Sequence, residues 1–401
     1  MPIEEAVTEP DIYTETRISM LTPELRQKVR DNLVTSQFQK AGCVRPDGQS
    51  WPAWFNHVPI ERVRVATGSK DFGMYNHQAG ICNWQDRYWY VFSNGADNEE
   101  APGQRTMLTS SQDLVNWSNP TCVAPGDPKG DMWRNTGGVM GYGDRLVVFV
   151  QTKTGHSTAR KPGMSANEEA KAARKVGVFV SSDGKDWTES DVVDDCHWYE
   201  APKLTGEGKL LCAATKEGRP VVLLWPGDNP LVTPDIIEIP YDNSRGMDSG
   251  RFPYGEASWY ETDDGKIFMF HRNETDELRL RVALSEDGGS SWTHPMYSNI
   301  PDSKSRVSAG RLADGRYFLI NNAIADLLNR VPLMISISKD GLKFEKQYFL
   351  LNEPTRIEFP GVLKAHGYQY PCALVKEDRL IVAYSVNKEH MELLTVDTRN
   401  L

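Results

Sequence analysis

Six segments of this 401-residue chain carry polar, charged or aromatic side chains at one equivalent point, just ahead of a short apolar run. They are His77 and Gln78, Arg134 and Asn135, Tyr199 and Glu200, Glu256, Arg306 and Ser308, and Tyr368 to Tyr370. Arg105, His271, Arg272, Asn321, Asn322, Asn387 and Lys388 stand at the far ends of the following strands or in loops beside them. Converged on one mouth, these types make a site for an acidic sugar: amides and hydroxyls for its hydroxyls, arginine for its carboxylate, aromatic faces for its ring. Two reactions at such a sugar ask for different residues. β-Elimination needs a group that neutralises the carboxylate, a base for the proton beside it and an acid for the leaving oxygen. Arg134 with Asn135, or Arg306, suits the first task. His77, a group that titrates near neutral pH, suits the second, and Tyr368, Tyr370 or His77 itself the third. Hydrolysis by paired carboxylates would fall to Glu200 and Glu256, the only ones at these points.

Plainer readings stand beside these. Glu200 reads more simply as a residue bonded across a channel, Arg279, Arg281 and His294 as solvated, and His271 equally as a structural histidine. The acidic run Asp97-Asn98-Glu99-Glu100 could hold a cation but reads first as a solvated loop.

The elements that position these residues are repeats. Starting at Asn76, Arg134, Tyr199, Tyr254, Arg306 and Tyr368, each copy has a polar start, small residues, a short apolar strand, an Asp/Gly turn and a longer apolar strand. Several copies are followed by a second element: SSQDLVNW at Ser110, SSDGKDW at Ser181, SEDGGSSW at Ser285 and SKDGLKF at Ser338. These read as hairpin turns of the Asp-box type, away from any site. Four-stranded units without cores of their own predict an all-β, β-propeller fold with six countable blades. The last copy has three strands before Leu401, and the alternating strand Glu61 to Ala66 is expected to complete it and close the ring. An insertion from Thr152 to Lys175, with the helical run ANEEAKAARK, decorates the second blade. Residues 1–56 lie outside the repeat and carry a short helix opened by Thr22-Pro23 and ending near Asn32. Residues 57–401 then form one propeller domain.

Composition narrows the partners. A net charge of -10 argues against nucleic acid, and no apolar run is long enough for a membrane. The N-terminus lacks a secretion pattern, so a cytoplasmic location is expected, although a secreted chain whose signal had been removed would read the same. The six cysteines are scattered, and Cys82, Cys212 and Cys372 fall in apolar strands as buried thiols. No cofactor is required; a structural divalent cation on the channel axis is compatible with the architecture, though no ligand spacing demands it.

The motifs YNHQAGI, SNGADNEEAPGQR, SRVSAGRLADGRYFLINN, GYQYP and YSVNKEHMEL together resemble the sialidase-like propellers that include the L-rhamnose-α-1,4-D-glucuronate lyases, formerly described as α-L-rhamnosidases. The resemblance implies cleavage of terminal rhamnose from glucuronate by β-elimination, with an acidic oligosaccharide or polysaccharide as partner. It also implies seven blades and a catalytic histidine in the first, held by His77 unless Gln78 takes that position, as in some relatives of the family that carry glutamine there and are described as inactive. The expected catalytic residues are then His77, Arg134 and Tyr370. Gln78, Arg105, Asn135, Glu256, Arg272, Arg306, Asn322, Tyr368, Asn387 and Lys388 are expected to bind substrate. Two alternatives stay open: an exo-acting glycoside hydrolase, either a rhamnosidase or sialidase-like, and a non-catalytic glycan-binding propeller. A sialidase would show an arginine triad and an N-terminal Arg-Ile-Pro, and no Arg-Ile-Pro occurs.

Overall fold

The computed structural model describes residues 56–401 apart from 128, 130–131, 155–172, 195, 217–218, 241–253, 274–277, 325–328 and 362. The helix expected near residue 22 lies outside the described residues, as does most of the Thr152–Lys175 insertion. The end of that insertion is strand rather than helix: Ala173–Ser181 pairs with Arg145–Thr154 inside the second blade. Among the described residues there is no α-helix, and none long and apolar enough to cross a membrane.

Six sheets form a propeller of six blades, one for each repeat. The resemblance implied seven blades; the described residues form six. Blade 1 runs from the inner strand Tyr75–Trp84 through Arg87–Gly95 and Arg105–Ser111 to Thr121–Ala124. The other inner strands are Met132–Tyr142 (blade 2), the interrupted pair Cys196–Trp198 and Lys203–Leu204 (blade 3), Tyr254–Glu261 (blade 4), Ser308–Arg311 (blade 5) and Tyr368–Lys376 (blade 6). Strand Ile60–Ala66 pairs antiparallel with His390–Asp397 and supplies the outer strand of blade 6, so the first described strands meet the last. Buried Glu392 fixes that closure, accepting from Arg62 Nε at 2.5 Å and Arg64 Nε at 2.7 Å.

The core sits between blades. Six apolar clusters each join two neighbours: Phe92 and Leu393 close blades 1 and 6, Phe149 and Trp198 blades 2 and 3, Phe270 and Leu319 blades 4 and 5. A blade alone would leave both faces wet, so burial of these side chains makes the ring cooperative. Close approach between blades demands glycine at Gly138, which has φ +116° and where a Cβ would lie 2.3 Å from Ala201 N on blade 3.

One irregularity recurs and matters for the site. The inner strands of blades 1, 2, 4 and 6 each slip register at the same depth, between His77 and Gly80, Thr136 and Gly138, Tyr254 and Ala257, and Gln369 and Cys372. Bulges re-aim side chains. Within them Gln78 (φ 59°) and Tyr370 (φ 56°) hold left-handed conformations that non-glycine residues seldom adopt. The bulges turn Gln78, Glu256 and Tyr370 away from the ordinary alternation at one level of the channel.

Candidate active site at the channel mouth

Glu256 of blade 4 and Tyr370 of blade 6 meet across the channel. Tyr370 Oη donates to Glu256 Oε1 at 2.6 Å. Arg272, at the end of the second strand of blade 4, donates through Nη1 to Glu256 Oε2 at 2.8 Å and to Tyr370 Oη at 2.9 Å. Burial, and then the charge of Glu256, hold the Tyr370 phenol well above its ordinary pKa, against Arg272 and Arg330. At rest it is a protonated phenol hydrogen-bonded to the Glu256 side chain.

Three further groups pack on the tyrosine ring. The Arg330 guanidinium lies 5.2 Å from its centroid, Lys388 Nζ 5.9 Å, and the His77 ring 4.1 Å. His77 is fully buried; its Nδ1 lies 2.7 Å from Ser385 Oγ and its Nε2 has no hydrogen-bond partner. Burial, followed by Lys388, Arg330, Arg306 and Arg272, pushes its pKa well down, so the imidazole is neutral. Arg306 is 1% exposed, and among the described residues its Nε and Nη2 have no acceptor, nor has Arg330 Nε. Buried guanidinium donors without acceptors are costly, and a pocket that keeps them is built to receive an anion.

Lys388 stands at the tip of the last hairpin, where Asn387 and Lys388 both have positive φ (57° and 58°) and the side chain folds back over the site. Its Nζ donates to Glu99 Oε2 at 2.6 Å, and Tyr75 Oη donates to Glu99 Oε1 at 3.2 Å. Beside it Glu100 pairs with buried Lys153. The acidic run is therefore not a solvated loop: two of its carboxylates are tied to buried lysines.

Other expected site residues lie elsewhere. Arg134 points along its own blade to Glu189 Oε1 (2.9 Å) and covers Phe179, and Asn135 accepts from Gln104. Arg105 donates to Asn94 Oδ1 and Phe72 O, and Asn322 to three backbone carbonyls. Tyr368 runs between blades to Glu353. Asn387 uses its amide on the segment before blade 6, donating to Arg356 O and accepting from Thr355 Oγ1 and Gly367 N. Gln78 accepts from Ser93 Oγ at 2.7 Å. Arg281, read from sequence as solvated, is buried with Nη1 3.5 Å from Pro295 O, and Cys372 is half-buried rather than buried. His271 is buried, which lowers its pKa to about 3.

Below the site, Lys203 Nζ gathers the channel's oxygens: Trp259 O at 2.6 Å, Glu200 Oε1 at 3.0 Å, Ala309 O at 3.1 Å and Ser258 Oγ at 3.2 Å. A hard cation would want such oxygens. Here a tethered ammonium already engages them, so this set does not fit an added divalent ion. Among the described residues no other group of His, Cys, Asp and Glu gathers as metal ligands.

The site residues absent from the sequence reading are Arg330 and Glu99. Arg330 sits in a loop outside the repeat, and Glu99 lay in a run whose solvated reading was the simpler one.

Comparison with known proteins relates this fold to a wider group. A sialidase has TM-score 0.50 and 19% identity over 85% of this chain, which spans only 33% of that protein. A Dyadobacter fermentans protein of unknown function has TM-score 0.61 at 16% identity, over 84% of this chain and 99% of its own. The intramolecular trans-sialidase of Ruminococcus gnavus has TM-score 0.60 at 11% identity, over 83% of this chain and 98% of its own. At such identities the likeness concerns the fold. No curated protein matches the chain. The BNR repeat-like domain family matches residues 88–382, most of the chain, and the protein belongs to that family.

Proposed function

We propose that the protein is a carbohydrate-active enzyme that cleaves the glycosidic bond of a sugar bearing a carboxylate next to its anomeric carbon. Tyr370 is the nucleophile and Glu256 its base. The observation that carries this is the 2.6 Å bond from Tyr370 Oη to Glu256 Oε1, with Arg272 bridging both. A tyrosine nucleophile, as sialidases use, makes physical sense only for such a sugar. A neutral phenol approaches a carbon beside a carboxylate without the like-charge repulsion that an aspartate or glutamate would meet. The phenol becomes nucleophilic when the adjacent carboxylate removes its proton. Arg306 and Arg330, with buried unpaired N–H groups, suit the substrate's carboxylate, which arginine binds in fork geometry. The sialidase and trans-sialidase folds among the structural neighbours support the same class.

A second reading, β-elimination from a rhamnosyl-glucuronate, draws support from His77. Its unpartnered Nε2 and neutral ring are what a base for the C5 proton would need, with Tyr370 as the acid. The two readings part at one experiment. An acidic glycosyl fluoride carrying a ring fluorine slows breakdown of a covalent intermediate. Peptide mass mapping of the quenched protein should find the sugar on Tyr370; an unmodified Tyr370, with an unsaturated uronate as product, would replace the first reading by the second.

A further inference from the structure

Resting on the tyrosine–glutamate reading, the sugar chemistry still lacks a proton donor for the leaving oxygen and a base for the water that follows. We infer that Lys388 is that acid and base.

The geometry comes first. The last hairpin reverses through two left-handed residues, Asn387 and Lys388, which aim the Lys388 side chain back into the mouth instead of out to solvent. Its position is fixed from two sides: Asn76 N donates to Lys388 O at 2.8 Å, and Asn76 Nδ2 to Glu389 O at 2.8 Å. The residue is 3% exposed and its Nζ stands 5.9 Å from the Tyr370 ring centroid. Glu99 Oε2 is its one hydrogen-bond acceptor among the described residues, which leaves the ammonium donor capacity for a ligand.

The other groups around Tyr370 cannot supply a proton. Arginines do not release theirs. His77 is neutral under burial and four neighbouring cations, and a neutral imidazole is a poor acid. Tyr75 already donates to Glu99, and burial raises its pKa further. Lys388 is different. Burial is the largest influence and, with Arg330, lowers its pKa; Glu99 and Glu256 raise it; the outcome is about 8. A group of that pKa is charged at neutral pH and, once it has given a proton, is a competent base, as the double role in retaining glycosidases requires.

The steps balance. Glu256 takes the phenol proton as Tyr370 Oη bonds to the anomeric carbon; the bond to the leaving oxygen breaks and Lys388 protonates that oxygen. Water then attacks the anomeric carbon while the Lys388 amine takes its proton. The bond to Tyr370 breaks, and Glu256 returns the phenol proton.

The test uses the full chain, sialyllactose, and the 4-methylumbelliferyl glycoside of N-acetylneuraminic acid, whose leaving group needs no proton. Lys388→Gln and Lys388→Arg should each lose on the order of 10²–10⁴-fold in kcat/KM on sialyllactose but only about ten-fold on the aryl glycoside. Wild-type kcat/KM should fall above about pH 8, and that limb should vanish in both variants. Glu99→Gln, which removes a charge that raises the lysine's pKa, should move the limb to lower pH, a readout that holds even if the Lys388 variants fold poorly. Equal losses on both glycosides, full activity in Lys388→Arg, or an unmoved limb in Glu99→Gln would overturn the assignment. No turnover of either glycoside by wild type, with no adduct on Tyr370, overturns the parent reading and this one with it.

Discussion

At the end of the propeller away from the mouth, four hairpins repeat one arrangement. Ser111, Ser181, Ser285 and Ser338 each donate to an aspartate two residues on, at 2.9–3.0 Å. The aspartate caps the turn's N–H groups and the hydroxyl accepts from the backbone in turn. The serine and the aspartate of each turn are partnered locally. At the mouth no two blades contribute alike: one gives Tyr370, another Glu256 and Arg272, a loop Arg330, a hairpin tip Lys388. Buried N–H groups of Arg306 and Arg330 lack acceptors, and Gln78, Tyr370, Asn387 and Lys388 hold left-handed backbone. Repetition marks what the fold needs. Departure from it, with unsatisfied charge, marks where a ligand belongs.

Variants can break this contrast at either end. The largest effect should come from the mouth. Tyr370→Phe and Glu256→Gln should each lower turnover of an acidic glycoside by at least about 10²–10⁴-fold while circular dichroism and Tm stay near wild type. Activity within a few-fold would place the chemistry elsewhere.

Next comes the buried ion pair that holds the segment preceding blade 6 against the mouth. Lys364 Nζ lies 3.3 Å from Glu389 Oε1 and also donates to Met74 O, while Glu389 caps the Glu358 and Phe359 N–H groups. Removing one partner of a fully buried pair costs about 3–5 kcal/mol, so Lys364→Met should fall by that amount in urea unfolding.

Arg306→Met should act in the opposite sense on stability and binding. It deletes a buried guanidinium whose Nε and Nη2 lack acceptors among the described residues, so Tm should hold or rise. Binding of a free sugar acid should weaken by about 1.5–3 kcal/mol, and binding of its carboxyl-reduced analogue much less.

The smallest effect belongs to the hairpins. The turn's N–H groups, Asn116 foremost, hold the Asp113 carboxylate below the usual range, and those of Lys343 and Leu342 bring Asp340 down to about 2. A carboxylate depressed in the folded state stabilises fully above its unfolded pKa of about 3.9 and loses that contribution as pH falls through the folded value. Asp340→Ala should therefore lower Tm slightly at neutral pH, by an amount that shrinks toward pH 2; a pH-independent difference would remove the charge from the explanation.

The legible part of the molecule was the repeating part. Six blades followed from six copies, and the missing strand of the last copy led to the segment that pairs with His390–Asp397. Tyr370, Glu256 and Arg306 stand at equivalent entry points of the repeats, which in a propeller approach one axis, and Arg272 and Lys388 at strand ends or loops beside that mouth. The same logic drew in Arg134, Tyr368 and Asn322, whose side chains turn between or along blades. Equivalence in sequence sets depth along the channel but not direction. Bulges at Gln78, Glu256 and Tyr370 re-aim side chains, and a register slip leaves no mark in a single sequence. Arg330 stayed hidden for another reason: it reaches the site from the loop between the second and third strands of blade 5, a stretch that the repeated pattern does not cover.

The central claim is that Tyr370, with Glu256 as its base, cleaves an acidic glycoside by substitution at the anomeric carbon. Turnover in heavy-oxygen water, followed by mass spectrometry of the released sugar acid, tests it most directly. The account predicts a product that has gained one water and carries the heavy oxygen, formed by wild type and abolished in Tyr370→Phe. A product lacking that water and unlabelled, formed by wild type and lost in His77→Ala, would contradict it.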